Sequence, residues 1–284
     1  MTLTTEGHTL IMGVVNATPD SFSDGSGDIN PQGAISHGLA LWEQGADIVD
    51  VGGESTRPGA APVDAAAEID RVVPVVDRLA AEGVVVSIDT MKPAVAAAAL
   101  AAGAEIVNDV SGFRDPAMLE VAAGLDAAIV IMHMRGMPRT MQDNMEYGDV
   151  VAEISAYLQA QTTVAQKAGV SRKRICIDPG IGFGKSHIQN MEILDRLPEI
   201  ISENFPVMIG ASRKGFLGSI LQAAGLETVA AQRDSATAAT VAASIIGGAA
   251  VVRVHDVAGT LQVARTTDAI VRGHFESRKT IGRT

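Results

Sequence analysis

The chain has 284 residues, 47% hydrophobic but only 3% aromatic, so its core must be built from Ala, Val, Ile and Leu, as in parallel α/β proteins. A net charge of −11 with no Lys/Arg block excludes a nucleic-acid-binding protein, though not one that holds a small anion with a few local basic groups. The single cysteine, Cys176, excludes an intrachain disulfide and, lying in an apolar run, reads as an inert buried thiol.

Residues 1–8 are polar and lack the apolar centre of a signal peptide. Residues 10–15 form an apolar run that predicts a strand, with Asn16 at its end and a polar loop over 17–25. Asn30 as N-cap and Pro31 at the first helical position predict a helix over 31–44. A second strand over 48–51 runs into a Gly-rich polar loop, 52–59. Asp64 opens a helix over 65–81, and Gly83 ends it.

A strand over 84–88 ends in Asp89-Thr90, and a helix over 93–102 follows. The fourth strand, 105–107, ends in Asn108-Asp109, and Asp115 caps a short helix that begins at Pro116. The fifth strand, 128–132, ends at His133, and a long loop leads to a helix from about 148 to 168. The sixth, from Ile175, stops at Asp178 and breaks into Pro179-Gly180-Ile181-Gly182-Phe183-Gly184-Lys185. A helix over 188–196 precedes the seventh strand, 206–210, which ends in Ser212-Arg213-Lys214. Two helices, 216–221 and 228–246, come next, then an eighth strand over 249–252 that ends in Arg253-Val254-His255-Asp256. A last helix covers 258–272, and the tail over 277–284 is expected to be frayed.

One uncharged span, 235–252, approaches the length of a membrane helix. Its Ser/Thr residues and Gly247-Gly248 fit a helix followed by a strand better. A soluble, cytoplasmic protein without membrane partners is therefore expected. Strands and helices alternate eight times with no linker, which predicts a single-domain (β/α)8 TIM barrel over residues 1–284.

All strand carboxyl ends of such a barrel face one mouth. Pooled there are Asn16, Asp89, Asn108, Asp178, Lys214, Arg253 and His255, with Arg57 on a loop. Any one could be a turn former or cap. Together, Asp89, Asn108 and Asp178 offer acceptor edges that suit a flat heterocycle rich in N–H donors. Lys214, Arg253, His255 and Arg57 suit phosphates, and Asn16 offers Mg2+ a hard oxygen. Gly184-Lys185-Ser186 imitates the end of a P-loop, but the four-residue gap after the first glycine is missing. His133 has no second histidine at zinc spacing.

At these strand ends the sequence resembles dihydropteroate synthase. The matching stretches are Asn16-Ala17-Thr18-Pro19-Asp20-Ser21-Phe22-Ser23-Asp24-Gly25, Asp50-Val51-Gly52-Gly53-Glu54-Ser55-Thr56-Arg57-Pro58-Gly59, Ser87-Ile88-Asp89-Thr90, Asn108-Asp109, Asp178 to Lys185, Ser212-Arg213-Lys214 and Arg253-Val254-His255-Asp256-Val257. They stand in family order along nearly the whole chain. The resemblance implies joining of 4-aminobenzoate to 6-hydroxymethyl-7,8-dihydropterin diphosphate, with pyrophosphate released through an SN1-like course.

It further implies that Asp89, Asn108, Asp178, Lys214 and Arg253 hold the pterin, and that Asp178, Lys214 and Arg253 are catalytic. Thr56, Arg57, Pro58, Phe183, Ser212 and Phe22 would bind 4-aminobenzoate. Asn16, Thr56, Arg57, Arg253 and His255 would bind diphosphate, with Asn16 on Mg2+. Sulfonamide inhibitors and a homodimer are implied too, the helices over 228–246 and 258–272 being candidates for the interface. Two departures, Ala17 and Gly215, touch none of this chemistry. A methyltetrahydrofolate-type methyltransferase would share the barrel and the pterin acids, but not Ser212-Arg213-Lys214 together with Asp20-Ser21-Phe22. A catalytically silent pterin-binding paralogue is the other alternative.

Overall fold

Short runs of Val, Ile and Ala, buried on both faces, make a closed inner sheet. The computed structural model describes residues 7–18, 31–56, 60–201, 205–226 and 229–273. Its eight parallel strands are β1 Leu10–Asn16, β2 Ile48–Gly52, β3 Val86–Asp89, β4 Ile106–Asp109, β5 Ala128–Met132, β6 Ile175–Asp178, β7 Met208–Ile209 and β8 Val251–Val254. Their order is β6-β5-β4-β3-β2-β1-β8-β7. A parallel bridge between Ile177 and Val207 joins the two ends, with Ile177 N donating to Pro206 O at 2.9 Å. The sheet is thus a barrel whose seam is its thinnest pairing.

The helices are α1 Pro31–Glu43, α2 Ala65–Ala81, α3 Pro93–Ala101, α4 Pro116–Gly124, α5 Val150–Lys167, α6 His187–Asp195, α7 Leu197–Ile201, α8 Gly215–Ala223, α9 Asp234–Ile246 and α10 Val257–Arg272. Several start on caps visible in the sequence. Asp64, Asp115, Asp149 and Asp256 each accept a backbone N–H of the first turn, and Ser186 forms a capping box with Gln189. Each cap contributes about 1 kcal/mol, satisfying a donor that the helix leaves unpaired. Asn30 lies outside the described residues.

Two apolar layers follow from the period-two alternation of strands. Met12, Ile48, Ile106, Val130, Cys176, Met208 and Val251 fill the barrel interior. Val49, Val51, Ile88, Val107, Ile129, Ile131 and Ile177 face the helices. Cys176 is fully buried, and burial pushes its thiol pKa up, as expected of an inert thiol. No helix among the described residues is long and apolar enough to cross a membrane.

The structure differs from the sequence pattern at a few boundaries. Strand β3 starts at Val86, because Val84 N is already committed to Leu79 O at the end of α2. Strand β7 shrinks to two residues, since Pro206 has no N–H to give the ladder. Helix α7, with Pro198 in its first turn, was not anticipated. The helix expected from 228 begins at Asp234, after a 3-10 turn over Ala230–Gln232. Residues 277–284 lie outside the described residues.

Candidate active site

The same alternation that fills the barrel aims its polar residues. Asp50 follows Ile48 on the inward face of β2, Asn108 follows Ile106 on β4, Asp178 follows Cys176 on β6, and Arg253 follows Val251 on β8. Each polar side chain therefore lies one layer above an interior apolar one, at the carboxyl mouth.

There they pair across the barrel. Arg253 Nε donates to Asp50 Oδ2 at 2.6 Å, and Arg253 Nη2 donates to Asp89 Oδ2 at 2.8 Å. Asn108 Nδ2 donates to the same Asp50 oxygen at 3.1 Å. Burial pushes Asp89 up to about 7, with Asp50, Glu68 and Asp109 adding repulsion and Arg253 opposing. Asp50 is fully buried. The strand-end reading passed over it because it lies two residues before the end of β2; the inward phase set by Ile48 was the available signal.

Asp178 is buried, and Gly180 N donates to its Oδ1 at 2.7 Å. Burial raises its pKa to about 6, with the Gly180 N–H and the Lys214, Lys185 and Arg253 charges opposing. The following loop turns through Gly180, Gly182 and Gly184 at φ 71°, 80° and 63°, left-handed values that a side chain rarely adopts. This tight path sets Phe183 beneath Lys214, whose Nζ stands 4.0 Å from the ring centroid. Burial, then Arg253, lowers Lys214 to about 8, while Asp178 and Asp89 pull it upward.

Lys185 closes this loop but does not offer its charge to the mouth. It is 5% exposed, and its ammonium meets backbone carbonyls and His133. The P-loop imitation is thereby set aside, as the spacing required.

After β7, Arg213 adopts a left-handed φ of 58°. Its guanidinium forms two 2.8 Å bonds to Asp234, and its N–H donates to Thr237 Oγ1 at 3.1 Å. Arg213 is anchored on α9, and its neighbours make the contacts at the mouth: Ser212 Oγ lies 3.0 Å from His255 Nδ1, and Lys214 covers Phe183. Burial, then Arg253, lowers His255 to about 4, so it is neutral at pH 7.

Asn16 ends β1 opposite Gly52, and both Asn16 and Thr56 are half-buried. The stem of the second loop is braced from behind. Arg71 donates to Gly53 O at 2.9 Å, and Lys92 bridges Glu54 to the buried Glu68. Phe22, Arg57 and Pro58, with Asp20, lie outside the described residues. Arg253 is thus bonded directly to Asp89 and joined to Asn108 through Asp50, while Lys214 meets Phe183 and Ser212 meets His255. Acceptor edges and cations share one low-dielectric mouth, an arrangement that can hold a polar ring and stabilise charge on it.

A family model described as pterin binding enzyme matches residues 12–255. The chain is 47% identical over 262 residues to the dihydropteroate synthase of Mycobacterium leprae, covering 91% of this chain and 92% of that protein. A solved structure of Xanthomonas albilineans dihydropteroate synthase with 4-aminobenzoic acid superposes with a TM-score of 0.86 at 42% identity, covering 93% of each chain. A Yersinia pestis dihydropteroate synthase in a sulfonamide drug complex gives a TM-score of 0.88 at 37% identity, covering 96% of this chain and 100% of that one.

Proposed function

The chain belongs to the dihydropteroate synthase family, and on that premise we propose how its barrel mouth forms dihydropteroate. It is a transferase that couples a pterin to 4-aminobenzoate. Asp89, Asn108 and Asp178 receive the N–H edge of the pterin, and Lys214 and Arg253 flank it. Arg253 is shared by two carboxylates before substrate arrives. As the pterin N–H groups take up Asp89, Asp50 keeps the guanidinium in place.

The arylamine is a weak nucleophile, so departure of pyrophosphate does much of the work. Bond cleavage leaves positive charge on the electron-rich pterin. Asp178, buried and ionised above its raised pKa, stabilises that charge far better than a carboxylate in water would. Phe183, Ser212, Thr56, Arg57, Pro58 and Phe22 seat 4-aminobenzoate so that its nitrogen meets the cationic carbon. The 4-aminobenzoic acid bound to the Xanthomonas albilineans enzyme supports a seat of this kind. Asn16, Thr56, Arg57, Arg253 and His255 hold the diphosphate. His255, neutral and bonded to Ser212, serves as a hydrogen-bonding group rather than a cation.

Mg2+ fits this donor set. Among the described residues no three His, Cys, Asp or Glu side chains gather as a metal cage, while Asn16 is a half-buried amide at the mouth. That suits an ion that keeps water and phosphate oxygens and takes few protein ligands. Asn16 would hold it, and when bound it neutralises charge on the leaving group.

The observation that carries the reading is the convergence of Asp50, Asp89, Asn108 and Arg253 beside Asp178 and Lys214. Its test is Asp178→Asn, which should lower turnover about 100-fold or more while the fold survives. Turnover near the parent value would remove Asp178 from the mechanism. We also propose a cytoplasmic homodimer, on the support of apolar side chains left in water on α9 and α10: Ile246 is 65% and Ile270 75% exposed. A monomer mass by light scattering would reject the dimer.

A further inference from the structure

The mechanism above leaves one buried charge unused. Lys185 Nζ lies 2.9 Å from Phe183 O, 3.0 Å from Gly180 O, 3.2 Å from His133 O and 3.1 Å from His133 Nδ1. Burial lowers the Lys185 pKa to about 7, with Asp178 opposing, so near neutral pH the group is divided between ammonium and amine; in the ammonium all three N–H donors are taken by protein acceptors. His133 stays neutral, its pKa driven far down by burial and then by Lys185, so its ring can accept. The cost of burying a cation is met only by such complete pairing.

The acceptors are not arbitrary. Gly180 is the residue whose N–H holds the Asp178 carboxylate at 2.7 Å. Phe183 carries the ring on which Lys214 rests. His133 follows the last residue of β5 and donates its N–H to Asp178 O at 2.9 Å, tying the end of that strand to β6. The loop also has no slack against β5, since a Cβ on Gly180 would fall 2.0 Å from His133 O. One ammonium therefore clamps, through main-chain oxygens, the segment that bears a group for each substrate.

We infer that Lys185 is a positioning residue for the transfer: it fixes the loop over residues 180–184 against the end of β5, and thereby sets both the Asp178 carboxylate and the Phe183 ring. The inference rests on the roles proposed above for those two residues. Without the clamp the three carbonyls lose their donor and the loop relaxes, while the barrel beneath, packed by Cys176, Val130 and Ile106, is untouched.

The test is Lys185→Met, which keeps the unbranched stem and removes the ammonium, with Lys185→Gln as a second variant that retains an N–H donor. In the folded Met variant, kcat should fall and KM for 4-aminobenzoate should rise, each about tenfold or more, because small misplacements of reacting groups are costly. Pterin diphosphate affinity by calorimetry should change less, since Asp89 and Asn108 also hold that substrate. The Gln variant should lie between Met and parent. A purely structural lysine would lower the unfolding temperature and leave the kinetics of the folded protein at parent values, and that result overturns the inference. Failure of both variants to fold also overturns it, because Lys185 would then hold the barrel rather than the loop. Parent protein that releases no pyrophosphate with 4-aminobenzoate would defeat the underlying reading; a normal parent with a kinetically normal Lys185→Met defeats this inference alone.

Discussion

Arg253 donates from Nε to Asp50 Oδ2 at 2.6 Å, and this pair sets the guanidinium across the barrel mouth. Asp50 is fully buried, so its charge acts with little screening. Asp50→Asn conserves volume but leaves Arg253 with Asp89 as its remaining carboxylate, in direct competition with the pterin. The expected result is a fall in kcat/KM for the pterin diphosphate of about 10- to 100-fold, the usual effect of losing a supporting partner. Kinetics equal to the parent would show that Asp50 does not orient Arg253.

Lys214 joins the two substrate seats. Its ammonium rests over Phe183 and interacts electrostatically with Asp178 and Asp89. Lys214→Ala should raise KM for both substrates and lower kcat/KM by about 100-fold. An effect confined to one substrate would reject its placement between them.

The pH dependence follows from groups shifted in opposite senses. Asp178 and Asp89 are raised to about 6 and about 7, so acid removes their negative charge as pH falls through those values. Lys214 is lowered to about 8, so base removes its positive charge as pH rises through that value. Lys185 is lowered to about 7 as well, so the profile of kcat/KM should be bell-shaped, with its maximum at about 7. A profile flat from pH 5 to about 9 would contradict these assignments.

Sulfonamides should inhibit in competition with 4-aminobenzoate, as the drug complex of the Yersinia pestis enzyme suggests. The chain has no insertion within Ser55-Thr56-Arg57-Pro58 to exclude them. Steady-state rates at several 4-aminobenzoate concentrations test this. Normal turnover with no inhibition would reject a shared seat.

The barrel was legible because each strand is a short apolar run ending in a polar residue, and each connection carries its own cap or glycine. Phase was the harder part. Asp50 and Arg253 share one cluster, yet only Arg253 has a role legible in the sequence, because its polar neighbours mark a strand end, while Asp50 appears only as the first residue of a matching stretch. Asp50 lies between two valines that face the helices, and alternation alone reveals that it points inward. Lys185 shows the converse. Its neighbours resemble a phosphate loop, but its partners are carbonyls from His133, just after β5, and from its own loop, brought together by the barrel. Helix α7 had no expectation behind it; Pro198 sits in its first turn, where no N–H is needed from it. Phe22, Arg57 and Pro58 remain expectations carried by the family resemblance.

Pyrophosphate release by the purified protein, given Mg2+ and 6-hydroxymethyl-7,8-dihydropterin diphosphate, with and without 4-aminobenzoate, tests the central claim most directly. The account predicts release that depends on 4-aminobenzoate, with dihydropteroate formed in equal amount. No 4-aminobenzoate-dependent release would contradict it and leave a barrel that binds pterin without joining it to anything.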